Sequence, residues 1–134
     1  MTISEQIDKF LSSTAFGVVG ASVDRNKYGN KVLRCYLQND RNPIPVNPKA
    51  SSVEGIVAVE SVNELPDQAE SISVITPPPV TLKVVDQAID RGIKNIWLQP
   101  GAESDEAVRL AEEAGINVIA DGSCILVVLG VREQ

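Results

Sequence analysis

Five short segments concentrate the residues able to handle a ligand: Gly20-Ala21-Ser22, Val46-Asn47-Pro48-Lys49, Thr76-Pro77-Pro78-Pro79, Gln99-Pro100-Gly101 and Asp121-Gly122-Ser123-Cys124. Each follows an apolar run. Their Gly, Pro and small hydroxyl residues let a backbone approach a ligand closely or hold a fixed wall. A plain turn would use the same residues, so each segment alone is equally a turn; their recurrence at five run ends favours a site. The longest connection, Gly20 to Gly29, leads into a helical pattern whose first amides could hold a phosphate. It is not the G-x-G-x-x-G dinucleotide fingerprint, because Gly17 and Gly20 are followed only by a distant Gly29. The second apolar run also ends in Asn47, Pro48 and Lys49, where an NAD site expects an acid for the ribose hydroxyls.

What is missing narrows the chemistry. There is no histidine, which removes His-dependent triads and phosphohistidine. Two cysteines are too few for a disulfide framework or a Cys-based zinc cage. No close pair of carboxylates announces acid and base work, and Asp24 alone does not make the aspartate cluster of a phosphoacceptor domain. The net charge of -6 and pI near 4.6 set the overall field against nucleic acid and anionic membrane. Residues 21–49 are the exception, with six Lys or Arg against two acids. That basic zone suits a small polyanion, such as a nucleotide with an extra phosphate on its ribose. Arg25, Lys27 and Lys49 are its best candidates, whereas Lys31 and Arg34 read as a solvated helix face.

The elements that would position these segments follow from periodicity. A chain of 134 residues, 43% hydrophobic, fits one domain spanning 1–134. No apolar run approaches the roughly 20 residues needed to span a bilayer, and the N-terminus lacks the pattern of a signal peptide; a cytoplasmic location is expected. Thr2 and Glu5 form a capping box opening a short helix with Ile3, Ile7, Phe10 and Leu11 as its apolar stripe. Ala15 to Gly20 reads as a strand covered on both faces. Tyr28, Val32, Leu33, Tyr36 and Leu37 make the stripe of a helix ending near Asn39, and Pro43 to Val46 is a strand if its prolines avoid ladder donors. Ile56 to Val59 is a candidate short strand and Ser61 to Leu65 a helical turn. Ser71 to Ile75 is a strand, Thr76 to Pro79 a stiff loop, and Val80 to Arg91 a helix with Leu82, Val85, Ala88 and Ile89 inward, stopped by Gly92. Ile93 to Leu98 is a strand. Ser104 caps a helix ended by Gly115, and Asn117 to Ala120 is the next strand. Alternation of this kind predicts a doubly wound α/β three-layer sandwich on a mostly parallel sheet of five or six strands. The apolar stretch Ile125 to Val131 is open to two readings, an edge strand able to pair with a second copy or a segment buried in its own sheet.

In this order and spacing, the residues resemble the small CoA-binding domain proteins, related to the N-terminal domain of the succinyl-CoA synthetase alpha subunit. The carriers are Val18 to Ser22, Ile44 to Lys49, Gly55 with Leu65-Pro66, Thr76 to Pro79, Trp97 to Gly101 and Asp121 to Cys124, covering about Phe16 to Leu126. The resemblance implies a Rossmann-like domain in which Gly20, Ala21, Ser22 and the approach through Arg25, Lys27 and Tyr28 to Gly29 bind the pyrophosphate side of CoA. Asn47, Pro48 and Lys49 would lie near the CoA phosphates. Thr76, Pro77 and Pro78 would line the nucleotide and pantetheine, with Gln99, Pro100 and Gly101 as the next strand-end loop and Cys124 near the pantetheine end. Beyond Cys124 the chain departs from the small stand-alone proteins, since Ile125 to Gly130 is apolar where a basic residue and a terminal histidine are often seen. In the synthetases phosphoryl transfer resembles a histidine relay in a second domain, which this chain lacks. The expectation is therefore a module that binds CoA or acyl-CoA and is not catalytic alone, with a homodimer or docking onto an acyl-CoA-metabolising enzyme as its partner modes. An NAD(P)-binding regulator or oxidoreductase, or a docking subunit of an acyl-CoA synthetase, would share the fold. No nucleic acid, membrane or metal is expected. Cys124 has two readings: exchange with the CoA thiol as a mixed disulfide, or a small buried hydrophobe. Cys35 and Trp97 read as packing residues.

Overall fold

The computed structural model describes residues 1–132. Strands β1 (Ala15–Val19), β2 (Pro43–Val46), β5 (Ala69–Val74), β6 (Asn95–Leu98) and β7 (Asn117–Ile119) form one sheet in the order β2-β1-β5-β6-β7, and every pairing is parallel. Between β2 and β5 a two-stranded antiparallel hairpin, β3 (Ser52–Val53) with β4 (Ile56–Val57), turns at Glu54-Gly55. Val59 then bridges in parallel to Val46.

Alternation along the buried strands divides the core in two. Phe16, Val18, Trp97 and Ile119 face one layer, made of Phe10 from α1 (Ile3–Leu11), Val32, Leu33 and Tyr36 from α2 (Tyr28–Gln38), and Ile125. Val19, Ile72, Val74, Ile96 and Leu98 face the other, packed on α3 (Pro78–Arg91), α4 (Asp105–Glu113) and a 3-10 turn at Val62–Glu64. Helices thus cover both faces, as strands apolar on both sides require. The capping box of α1, the Ser104 cap of α4 and the left-handed stop at Gly92, φ 79°, are as expected.

Pro43 and Pro45 are tolerated for a readable reason. Asn47 N–H donates to Val59 at 2.9 Å, away from β1, and residues 43 and 45 share its parity. Their missing donors therefore fall on the outer side of β2, outside the ladder with β1.

Four expectations need correction. Pro78 and Pro79 belong to α3 and not to the loop, since a residue in the first helical turn has no intrahelical use for its N–H. The buried face of α3 is Thr81, Val84, Val85 and Ala88, with Leu82 and Ile89 half-buried, because the helix wedges between the sheet and the 3-10 turn. Leu37 is exposed. Ile125–Val128 is a short helix, α5, and so is neither an edge strand nor part of the sheet. No described helix is long and apolar enough to cross a membrane.

Candidate functional site

The chain passes from β1 outward to β2 and then returns across β1 to β5, so the winding reverses between β1 and β5. A cleft outside the strand ends is expected at such a switch. A cavity of about 650 Å³ opens there. Its floor is Gly20, Ala21 and Ser22 after β1; one side is Val46, Asn47 and Pro48 after β2; the other is Ile75 and Thr76 after β5. The start of α2 closes the inner end with Lys27, Tyr28 and Gly29.

Two glycines make this closeness possible. Gly20 has φ +98°, and a Cβ built on it would lie 2.1 Å from the Ile75 carbonyl oxygen. A Cβ on Gly29 would lie 2.0 Å from the Gly20 carbonyl oxygen. The first turn of α2 therefore rests directly on the backbone of the β1 loop, the close helix-to-strand approach that only glycine permits. Two asparagines fix the loop: Asn30 Nδ2 donates to Ser22 O at 2.8 Å and Asn47 Nδ2 to Ala21 O at 2.9 Å. Asn47 Oδ1 in turn accepts from the amides of Lys49 and Ala50. Lys27 caps α2 without a side-chain hydrogen bond to its first turn, leaving amide dipoles that favour an anion at this end.

The remaining expected residues divide. Thr76 and Pro77 with Pro100 and Gly101 line a smaller cavity of about 260 Å³ that shares Ile75 and Thr76 with the first. Pro78 is exposed on α3, outside both. Gln99 is fully buried; its Oε1 accepts from Tyr28 Oη and from Ile125 N, each at 3.0 Å, so it ties three strand-end segments together. Its Nε2 has no partner among the described residues. Half-buried Cys124 has its Sγ 2.7 Å from Tyr28 Oη and lines neither cavity. Burial, reinforced by Cys124, raises the Tyr28 phenol above its ordinary value, so Tyr28 stays protonated. Burial likewise pushes the Cys35 thiol up to about 11.

The basic zone disperses on folding. Arg25 pairs with Glu54 at the hairpin tip. Arg34 is buried and not on a solvated face: Nε donates to Asn30 Oδ1 at 2.7 Å and Nη2 to Arg25 O at 2.9 Å. Arg41 donates to Leu11 O and sits over the Phe16 ring. Lys49 is exposed and outside the lining, which leaves Lys27 as the zone's one cation on the cavity.

Sequence reasoning missed the outer wall, made by Val80, Lys83, Val84 and Gln87 of α3 facing Glu60, Ser61 and Val62. The i, i+3, i+4, i+7 spacing on α3 was visible, but with Lys83 and Gln87 in it the stripe reads as solvent-facing. Nothing local marks Glu60. The site thus has a phosphate-friendly inner end, a middle walled by valines and Ile75, and a mixed polar outer end, an arrangement able to hold a nucleotide lengthwise.

The sequence pattern of the CoA binding domain family matches residues 14–130. The alpha subunit of ADP-forming acetate–CoA ligase II from Pyrococcus furiosus is 23% identical over 124 residues, covering 84% of this chain and 27% of that subunit. The chain therefore spans about a quarter of that relative's length. Among solved structures, a conserved hypothetical protein from Pyrococcus furiosus superposes with a TM-score of 0.82 at 40% identity, covering 85% of this chain and 97% of that one. The dinucleotide-forming acetyl-coenzyme A synthetase 1 of Ca. Korarchaeum cryptofilum gives 0.73 at 28% identity, over 81% of this chain and 26% of the synthetase.

Proposed function

The chain belongs to the CoA binding domain family, and from that premise we propose that it is a module holding CoA or an acyl-CoA at the carboxyl ends of β1, β2 and β5 without acting on it alone. The observation that carries the reading is the cavity at the winding reversal, where Gly20 and Gly29 bring the β1 loop and the first turn of α2 into backbone contact. The pyrophosphate would lie against Gly20, Ala21, Ser22 and the amides ahead of Lys27 and Tyr28. The base would lie between Val46, Val62, Val80 and Val84, and the pantetheine arm would leave past Thr76 toward the smaller cavity lined by Pro77, Pro100 and Gly101. Arg25, Lys49 and Cys124 would act at the rim, and Gln99 as a support for Tyr28.

Calorimetric titration with CoA, acetyl-CoA and NAD, with a thermal shift in parallel, tests this. A ligand at about 100 times its Kd stabilises the fold by roughly 2.7 kcal/mol. CoA-type ligands should bind and NAD should not. Binding of NAD alone would replace the module by a nicotinamide-nucleotide regulator. A second reading rests on the ligase comparison: the chain matches 84% of its own length to part of a ligase alpha subunit, which favours a docking subunit of an acyl-CoA synthetase. Failure to bind any of these nucleotides, with co-purification of synthetase subunits, is the outcome that would select it.

A further inference from the structure

Behind the inner end of the main cavity three segments meet that are far apart in the chain: Tyr28 at the start of α2, Gln99 after β6 and Cys124 ahead of α5. Gln99 Oε1 accepts from Tyr28 Oη and from Ile125 N, each at 3.0 Å. The Ile125 amide can only donate, so it fixes which way the Gln99 amide is turned, and Nε2 cannot take the place of Oε1. Nε2 is therefore a fully buried donor without an acceptor among the described residues. A donor left unpaired there is satisfied only by an acceptor brought from outside, a water or a ligand oxygen. Tyr28 has one phenolic proton and gives it to Gln99 Oε1, so the 2.7 Å contact between Tyr28 Oη and Cys124 Sγ is bridged by the thiol proton. Once that proton is lost, the Tyr28 hydroxyl, kept protonated by burial, can turn to donate to the sulfur.

This cluster adjoins the space proposed for the ligand. Tyr28 lines the main cavity, and Pro100 and Gly101, which follow Gln99, line the smaller one. Cys124 is half-buried whereas Cys35 is fully buried, so Cys124 is the thiol open to a reagent. CoA ends in a thiol and carries an amide carbonyl a few bonds before it. With that sulfur bonded to Cys124, the carbonyl is an acceptor of the kind that Gln99 Nε2 lacks.

We propose that Cys124, with Tyr28 and Gln99 beside it, is a thiol–disulfide exchange site that takes up CoA from its oxidised form, a CoA disulfide. The Cys124 thiolate attacks one sulfur of the disulfide; a bond forms between Sγ and that sulfur, and the original S–S bond breaks. The leaving CoA thiolate departs with the electron pair and takes a proton from solvent in place of the one Cys124 released. Cys124 is thereby oxidised and one half of the disulfide reduced, so no further oxidant enters. The inference rests on the CoA reading above and adds to it a covalent, reversible step. The product has no thiol proton for Tyr28 Oη, so the start of α2 is loosened where it meets the cavity.

The test follows the mass of the reduced, intact protein, without oxygen, during incubation with CoA disulfide and, separately, with glutathione disulfide. One CoA should add, and peptide mapping should place it on Cys124. Because binding holds the disulfide beside the thiol, the CoA adduct should form about tenfold or more faster than the glutathione adduct. Desulfo-CoA, which lacks the thiol, should slow it by occupying the site, and Cys124→Ser should gain no mass. No adduct in the unaltered protein, or an equal one in Cys124→Ser, overturns the proposal. So do equal rates for the two disulfides with no protection by desulfo-CoA, the behaviour of an ordinary accessible thiol. Calorimetry with desulfo-CoA keeps the two readings apart: its binding upholds the CoA site even where the exchange fails, and absence of both binding and adduct overturns both. Unfolding followed by fluorescence of Trp97, the one tryptophan, confirms that Cys124→Ser keeps the fold.

Discussion

Replacing Gly29 by alanine isolates the contact on which the site depends. Its Cβ would sit 2.0 Å from the Gly20 carbonyl oxygen, 2.8 Å from its carbon and 3.3 Å from Ala21 Cα, all backbone atoms that no rotamer change can clear. Reaching an ordinary contact of about 3.5 Å requires the start of α2 to move about 1.5 Å from the β1 loop. Overpacking of this kind costs about 1–3 kcal/mol, against about 1 kcal/mol regained because alanine favours a helix over glycine. The net is a loss of up to about 2 kcal/mol, or about 4–8 °C in Tm for a chain of this size. Binding should suffer more than stability, since α2's first amides and Tyr28 move with the helix: CoA affinity should fall about tenfold or more. Thermal unfolding read from Trp97 and calorimetry on the same sample separate the two effects. Gly55→Ala is the control of the opposite kind, because Gly55 has φ +80° and nothing lies within 4 Å of its added carbon; it should lose about 1 kcal/mol and no affinity. A Gly29→Ala protein with unchanged Tm and unchanged affinity would refute the close-approach argument.

Asn47→Ala removes one donor and two accepted bonds around the Ala21 and Lys49 loops, so denaturant melts should show a loss of about 1–3 kcal/mol together with weaker CoA binding. Arg25→Ala breaks a rim pair whose arginine is 51% exposed; stability should change by no more than about 1 kcal/mol, and CoA affinity should fall less than in Lys27→Ala. Cys35, buried and with its thiol pushed up to about 11, should resist iodoacetamide at pH 8 while half-buried Cys124 reacts, as peptide mass mapping would record. Folding favours the neutral Cys35 thiol, so its contribution is fully present below pH 9, the ordinary value, and is lost as pH rises toward about 11. Tm in that window should fall more steeply for the unaltered protein than for Cys35→Ala.

The amino-acid order determined the alternation of strands and helices, the caps of α1 and α4, and the stop at Gly92, because these depend on apolar periodicity and on residues a few positions apart. It also marked the floor of the cavity, since Gly20-Ala21-Ser22 and Gly29 answer to backbone geometry within one loop and the helix it enters. Three features were out of its reach. The rotation of α3 depends on what the helix packs against. The fate of the basic zone was decided by Glu54 and Phe16, partners that only folding brings to Arg25 and Arg41, and by the burial of Arg34 against the Arg25 carbonyl. The outer wall, with Glu60 opposite Lys83, joins an edge segment beside β2 to a helix that follows the next strand. No local pattern encodes that meeting, because the parallel sheet closes it only after the chain has crossed from one side of β1 to the other.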